Sequence, residues 1–292
     1  MAHLSLMKRA TALFVTSARS AVLKRNASTQ EQSKGQLVDV TRNDSNGITT
    51  VSLARGPVNS LNLDLIEELR KSIESAIDTN SKGIILTSSL PTVFSAGLDI
   101  MEMYKPDLKR CTEFWHALQD LWLTLYGSSV PVAAAINGAS PAGGCLLALS
   151  CEYRVMVQGE HTIGLNETKL GIVAPKWFQD PMIAAIGYRQ AELALLRGTL
   201  FKPQDALKIG LIDELASSKD DAISKCENYI YSFARISNEA REATKLSLRK
   251  ETLAWLEGNR EFDTTIFLNY VQMPQVQEGL DRYIQSLKKK SK

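Results

Sequence analysis

Four cysteines and three histidines in 292 residues are too few and too scattered for the chemistry those residues usually bring. Cys111, Cys145, Cys151 and Cys226 contain no Cys-x-x-Cys pair, so neither a disulfide framework nor a zinc site is indicated. His3, His116 and His161 have no metal-ligand spacing. The cysteines read as buried, reduced thiols and the histidines as structural or exposed residues, and no metal is expected. No apolar run approaches the roughly 20 residues that span a bilayer, so membrane insertion is not expected. Acidic residues are also missing from the N-terminal stretch. Before Glu31 there are none, whereas Lys8, Arg9, Arg19, Lys24 and Arg25 are basic and Ser and Ala are frequent. This is the composition of a mitochondrial transit peptide over residues 1–30, with the matrix as its destination. A secretory signal fits poorly, because the apolar run Ala12–Val15 is short and basic residues recur after it; an unstructured tail is the alternative.

The whole chain holds 34 basic and 32 acidic residues, a net charge of +2. Residues 1–35 carry six of the basic residues and Glu31 alone of the acidic ones, leaving 28 against 31, a net −3, for the rest. A mildly acidic body gives no global argument for nucleic acid as a partner. The length suffices for one large domain or two modest ones without disulfide or metal support.

Periodicity predicts a hairpin over residues 36–55, and an amphipathic helix over Leu63–Ala76 with Leu65, Ile66, Leu69 and Ile73 on one face. Gly83–Thr87, Pro131–Ile136 and Tyr153–Val157 read as strands, and Leu108–Tyr126 and Ala142–Leu149 as helices. Strand, turn and helix recur at least three times, which predicts a layered α/β core over residues 36–175 with a loop-rich ligand edge. After Pro175 the pattern is helical almost throughout: 179–186, 189–196, 203–208, 220–233, 238–253 and 260–287. The apolar faces of this region, residues 176–292, are too extensive to cover one another and call for packing on the core or on other subunits.

Two glycine-rich turns lie at the ligand edge. In Phe94–Ile100, Asp99 and Glu102 have capping-box spacing, which starts a short helix and leaves the Leu98 N–H in the turn before it. In Asn137–Cys145, Ser140 reads as an N-cap and Pro141 as the first helical residue, so the Ala142 and Gly143 amides lack intrahelical partners. An anionic oxygen held between the Leu98 and Gly143 amides is the economical reading of both turns, and ordinary loop-to-helix turns are the alternative. Glu167 is a lone carboxylate among Ile163, Leu165, Leu170, Ile172 and Val173, with Lys169 the only formal charge nearby in sequence. Desolvation there raises a carboxyl pKa towards that of a proton shuttle, whereas a solvated surface Glu is the alternative.

Taken together, Phe94-Ser95-Ala96-Gly97-Leu98-Asp99, Asn137-Gly138-Ala139, Gly143-Gly144-Cys145 and Glu167, in this order and at these separations, resemble the crotonase (enoyl-CoA hydratase/isomerase) superfamily. The resemblance covers about residues 36–290. It implies a spiral of ββα units, a helical trimerisation region, and a CoA thioester substrate whose carbonyl oxygen lies between the Leu98 and Gly143 amides. Ala96, Gly97, Leu98, Asp99, Ile100, Gly143 and Asn166 become substrate-binding positions, and Asn59 falls in the loop lining the CoA cleft. Glu167 becomes the catalytic residue. One departure decides the activity: hydratases of the family carry a second glutamate where this chain has Leu146. One carboxylate can take a proton from C2 of a 3-enoyl-CoA and return it at C4, giving a 2-trans-enoyl-CoA, and Trp177 and Phe178 are candidates for keeping water away. The resemblance implies no metal, nicotinamide or flavin. A hydratase or acyl-CoA hydrolase that uses Glu167 alone stays open, and a further carboxylate within reach of the thioester β-carbon, for which Glu152 and Glu160 are candidates, would favour it; a CoA- or RNA-binding protein without catalysis also stays open. The final lysines, Lys288–Lys290 and Lys292, read as a solvated helix end or as a contact for CoA phosphates.

Overall fold

The computed structural model describes residues 35–290; the leader assigned to residues 1–30 and the side chains of the terminal lysines lie outside what it describes. Alternating apolar residues build the first hairpin, where Val38–Asn43 (β1) and Ile48–Leu53 (β2) pair antiparallel from Val38↔Leu53 to Asn43↔Ile48. Parallel to β2 follow Gly83–Ser88 (β3), Val132–Ile136 (β4), Tyr153–Val157 (β6) and Glu214–Ala216 (β8), in the order β1-β2-β3-β4-β6-β8. Ser140–Pro141 (β5) and Ile163–Gly164 (β7) form a small second sheet, also parallel.

Among the described residues the helices are α1 (Leu63–Asp78), α2 (Leu108–Tyr126), α3 (Gly143–Ser150), α4 (Lys176–Ile186), α5 (Tyr188–Arg197), α6 (Pro203–Lys208), α7 (Lys219–Tyr231), α8 (Asn238–Gln272) and α9 (Pro274–Lys290). The central strands β3 and β4 are buried along their whole length, as parallel strands covered on both faces are. Their residues alternate between two cores. Ile84, Leu86, Val132, Ala134 and Ile136 join the large cluster with α1 and α2, while Ile85, Ala133 and Ala135 join a smaller one with Ala222, Cys226 and Ile230 of α7.

Each of β2, β3, β4 and β6 is followed by a short extended segment in a second layer and then a helix. In that layer Leu61 bridges Leu98, Val93 bridges Ala139, and β5 pairs with β7, all parallel. The expected spiral of ββα units is therefore present, and it stacks the turns that follow β3, β4 and β6 along one edge. The helix-rich C-terminal part also feeds a strand back: β8 pairs with β6 from Val155↔Glu214 to Val157↔Ala216. Three residues are too few for periodicity to reveal.

The C-terminal helices differ from the expected boundaries. Rather than stopping near Leu253, α8 runs on through Gly258 with a bend at Asn259 (φ −128°, ψ 18°). The break comes at Pro274, inside the segment read as one helix over 260–287, because proline lacks the N–H that a helix interior requires and sits comfortably in a first turn. On α8, Arg241, Lys245 and Arg249 lie at successive i, i+4 positions. Lys245 donates to the Ser128 carbonyl at 2.8 Å, and Arg249 to those of Tyr126 (2.8 Å) and Ser150 (3.0 Å). Arg241 reaches the Ser129 carbonyl. These cations sit at the C-terminal ends of α2 and α3, where the helix dipole is negative.

Candidate active site

The two turns read as a candidate oxyanion site are brought together through their backbone. Leu61 pairs with the residues on either side of Leu98: its N–H donates to the Gly97 carbonyl (2.8 Å), and its carbonyl accepts from the Asp99 N–H (2.9 Å). In a parallel bridge this turns the Leu98 N–H away from Leu61. On the other side stands Gly143. A Cβ built on Gly143 would lie 3.2 Å from the Leu98 nitrogen, and one on Gly97, at φ +91°, would lie 3.1 Å from the Gly143 nitrogen. Among the described residues neither the Leu98 nor the Gly143 N–H has a backbone acceptor. Two orphan donors thus share one small space that any side chain at position 143 would intrude on.

The second turn reaches this geometry differently from the capping expectation. Ser140 and Pro141 are strand residues paired with Ile163 and Gly164, and the Ala142 N–H donates to the Gly164 carbonyl at 2.8 Å. The helix begins at Gly143, preceded by Ala142 at φ +49°, ψ −121°, a conformation that is costly for a residue with a Cβ. Tertiary pairing with β7 overrides the local Ser-Pro cap signal. In the first turn Asp99 does cap Ile100–Glu102, accepting from the Met101 N–H at 3.0 Å. Glu102 does not close a capping box; its carboxylate accepts from the Leu63 N–H (3.1 Å) and binds Arg110 (2.8 Å).

Glu167 opens a 3₁₀ turn, Glu167–Leu170, closed by Gly171 at φ +74°. The turn follows β7, and β7 pairs with β5, so the segment carrying Glu167 lies beside the one leading into Gly143. Thr168 donates to the Leu195 carbonyl of α5 at 3.1 Å, holding the turn against that helix. Glu167 is only 9% exposed, and neither carboxylate oxygen has a hydrogen-bond partner; the Oδ1 of Asn166 is likewise buried and unpaired. Burial pushes the Glu167 pKa from its ordinary 4.5 up to about 7. The Cys145 thiol, in the first turn of α3, lies close enough to feel the Glu167 charge, and burial holds it protonated.

Beside Glu167 is a cavity of about 290 Å³. Its walls include Val173, Ala174, Ile183, Leu195 and Leu196, so an apolar chain fits it better than a polar one. Glu192 also lines it, a carboxylate that sequence reading missed. It lies with the exposed Tyr188 and Leu196 rather than with the buried Glu167 and Ala174, and it is paired with Arg189. At i, i+3 spacing from an arginine it reads as a surface helix pair, so no sequence signal singles it out.

The other named positions divide plainly. Ala96, Gly97, Asp99 and Ile100 use backbone groups on the scaffold: Ala96 N–H on Val58 O (2.9 Å), Gly97 N–H on Ser95 Oγ (3.2 Å), Asp99 N–H on Leu61 O, and Ile100 O from Tyr104 N–H (2.8 Å). The Asp99 carboxylate is also held by Arg55 at 2.9 Å. Asn59 is fully buried and donates to Ser88 Oγ (2.8 Å) and the Phe94 carbonyl (2.9 Å), so it braces the Phe94 turn from beneath. Leu146 is fully buried in α3. Trp177 and Phe178 are buried in the core and do not line the cavity; they back α4, whose Gln179 and Ile183 do. Of the carboxylates considered as partners for Glu167, Glu152 is locked to Arg241 (2.8 Å) and Lys245 (2.9 Å), and Glu160 pairs with Lys202 (2.7 Å); neither lines the cavity. Among the described residues there is no cluster of metal-ligating side chains, and no helix is long and apolar enough to cross a membrane.

A ββα spiral with two converging backbone amides and a desolvated glutamate defines a class, and residues 43–292 match the family model described as enoyl-CoA hydratase/isomerase; the chain belongs to that family. Within it, the mouse protein named mitochondrial enoyl-CoA delta isomerase 1 is 45% identical over 246 residues, 84% of this chain and 85% of its own length. The human protein of that name is 41% identical over 244 residues, 83% of this chain and 80% of its own length. The crystal structure of human mitochondrial delta3-delta2-enoyl-CoA isomerase superposes with a TM-score of 0.85 at 39% identity, covering 88% of this chain and all of that one. An enoyl-CoA hydratase from Bacillus halodurans superposes at a TM-score of 0.75 with 24% identity over 84% of this chain and 99% of its own, which shows the shared fold alone.

Proposed function

We propose that this chain isomerises 3-cis- and 3-trans-enoyl-CoA thioesters to 2-trans-enoyl-CoA in the oxidation of unsaturated fatty acids, with Glu167 as the sole proton carrier. The observation that carries the reading is a buried carboxylate with no hydrogen-bond partner, its pKa pushed up to about 7 by burial, beside two orphan backbone amides. The names of the relatives at 41–45% identity point to the same reaction. In a 3-enoyl thioester the C2 proton is acidified by the carbonyl and by the C3=C4 double bond. Glu167 takes that proton, and the electron pair spreads into a dienolate whose negative charge rests on the thioester oxygen. The Leu98 and Gly143 amides stabilise that oxygen, and losing one such donor typically costs on the order of 3 kcal/mol. Glu167 then returns the proton at C4 and the double bond settles between C2 and C3. Nothing is oxidised and the proton stays within the enzyme–substrate pair, so the chemistry calls on no cofactor.

A base that must take a proton and give it back works best with a pKa near the ambient pH. Burial supplies that value here, and the apolar cavity keeps water from the dienolate. The same reading places the substrate's CoA along Ala96–Ile100, residues 36–175 as the catalytic core and residues 176–292 as the region that packs and oligomerises, as a homotrimer in the mitochondrial matrix once residues 1–30 are removed. The test is incubation of the leaderless protein with 3-trans-hexenoyl-CoA, resolving the products by chromatography, beside a Glu167→Gln variant. Formation of 2-enoyl-CoA by the parent and not by the variant supports the reading. Predominant 3-hydroxyacyl-CoA would instead mark a hydratase, and CoA binding with no product a non-catalytic protein.

A further inference from the structure

A carboxylate that the proposed chemistry does not use gathers three helices. Asp263, buried on α8, accepts on its Oδ2 from Trp115 Nε1 (2.8 Å), Gln119 Nε2 (2.9 Å) and Trp177 Nε1 (3.1 Å). Trp115 and Gln119 belong to α2, and Trp177 to the first turn of α4. Hydrogen bonds to an ionised acceptor are stronger than neutral ones, and three on one oxygen make a well-defined anchor.

The first turn of α4 depends on an anchor from outside. Pro181 lies within α4 and has no N–H to offer the Trp177 carbonyl one turn earlier, so the helix lacks one of its own bonds there. The next attachment is Asp180, whose carboxylate accepts from Thr252 Oγ1 at 2.8 Å. Thr252 and Asp263 stand on opposite sides of the bend at Asn259, so α4 is tied to both halves of the bent helix. Gln179 and Ile183 of α4, with Ala174 just before it, form part of the cavity wall beside Glu167.

We propose that Asp263 is a positioning residue: by holding the Trp177 N–H it fixes α4, and with it the wall that keeps the acyl chain in, and water out of, the cavity beside Glu167. The inference rests on Glu167 being the proton carrier. If the wall loosens, long acyl chains lose their fit and water reaches Glu167, which then titrates at lower pH. The other titratable or charged groups around the carboxylate are Lys169 on its own turn, the Cys145 thiol on α3, and Tyr188 and Glu192 of α5 along the cavity. Burial, and none of these charges, is what raises its pKa.

Two matched substitutions test this. Trp177→Phe removes the indole N–H that Asp263 holds. Trp122→Phe makes the same change 5.5 Å away in the same aromatic cluster, at an indole nitrogen that is buried without a partner. An ångström-scale misplacement near reacting atoms costs up to about 10²-fold. The expected result is a fall of about tenfold or more in kcat/KM for Trp177→Phe with 3-trans-decenoyl-CoA, a smaller fall with 3-trans-hexenoyl-CoA, and an acid limb of the pH profile moved downward. Trp122→Phe is expected to lower Tm and leave chain-length preference and pH profile in place. Asp263→Asn, which keeps one acceptor oxygen, should fall between Trp177→Phe and the parent. Equal behaviour of the two tryptophan variants, or an unmoved acid limb in Trp177→Phe, overturns the proposal while leaving the function standing. A parent protein that forms no 2-enoyl product overturns the function reading first.

Discussion

Two regions of this protein bury a glutamate and treat it in opposite ways. Glu152 sits between Arg241 and Lys245 at 2.8 and 2.9 Å and also faces the Val132 N–H and the Tyr229 hydroxyl. Glu167 is slightly more sheltered and has no partner for either oxygen. At Glu152 the strain falls on a cation, because burial pushes the Lys245 ammonium down to about 8 even as Glu152 pulls it back. At Glu167 burial falls on the carboxylate itself and lifts it to about 7. A buried charge that is fully paired serves architecture, here fastening α8 to the core, and one left unpaired is free to take up and release a proton, the role proposed for Glu167.

The difference has consequences that can be measured, and the largest concerns activity. Glu167→Gln should lower kcat for isomerisation by about 10²–10⁴-fold, the range that general acid–base catalysis supplies, as read by conjugated-thioester absorbance. Glu152→Gln should do something else entirely. It leaves Arg241 and Lys245 buried with half their compensation gone, so denaturant unfolding should show a loss of about 3–5 kcal/mol while the pH profile of the folded fraction stays put. Gly143→Ala places a methyl 3.2 Å from the Leu98 nitrogen, in the space proposed for the thioester oxygen. Steady-state kinetics should show kcat lowered by about 10²–10³-fold, with some loss of Tm as well, because the methyl also meets Leu61 Cδ1 at 3.1 Å and Leu98 Cδ2 at 3.2 Å.

Stability should separate the two glutamates once more. Because the folded-state pKa of Glu167 lies above its unfolded value, the native state holds more protons than the unfolded one between about pH 4.5 and about pH 7, and stability falls as pH rises through that window. The group therefore costs the fold up to about 3 kcal/mol above pH 7. Glu167→Gln should raise Tm at about pH 8 and not at about pH 4, a gain visible by calorimetry. The smallest effect is expected at Glu192: as a half-exposed residue paired with Arg189, its change to Gln should alter kcat/KM by less than about tenfold.

Much of the candidate site was legible because unusual local composition marks it. The glycines of the two turns mark close backbone approach, and Glu167 stands out as one charge in an apolar segment. Apart from β5, the strands and helices up to Val157 were equally readable, α1 and α2 from their amphipathic period and β3 and β4 as short apolar runs. What was hidden depends on partners distant in sequence. Ser140 and Pro141 carry a strong capping signal that pairing with Ile163 and Gly164 overrules. Trp177 looks like a shield for the cavity, yet its indole points to an aspartate 86 residues away. Glu192 looks like a surface residue until α5 folds against the turn of Glu167.

The central claim is that one dry carboxylate carries the proton from C2 to C4, and isotope transfer tests it most directly. The substrate is 3-trans-hexenoyl-CoA with both C2 hydrogens replaced by deuterium, turned over in ordinary water for less than one equivalent of product. The account expects a substantial fraction of the 2-trans-hexenoyl-CoA to carry deuterium at C4, because the same Glu167 oxygens take and return it before solvent exchanges. Complete loss of the label to solvent, with hydrogen alone at C4, would contradict a single shielded shuttle and point to water or a second acid as the proton donor.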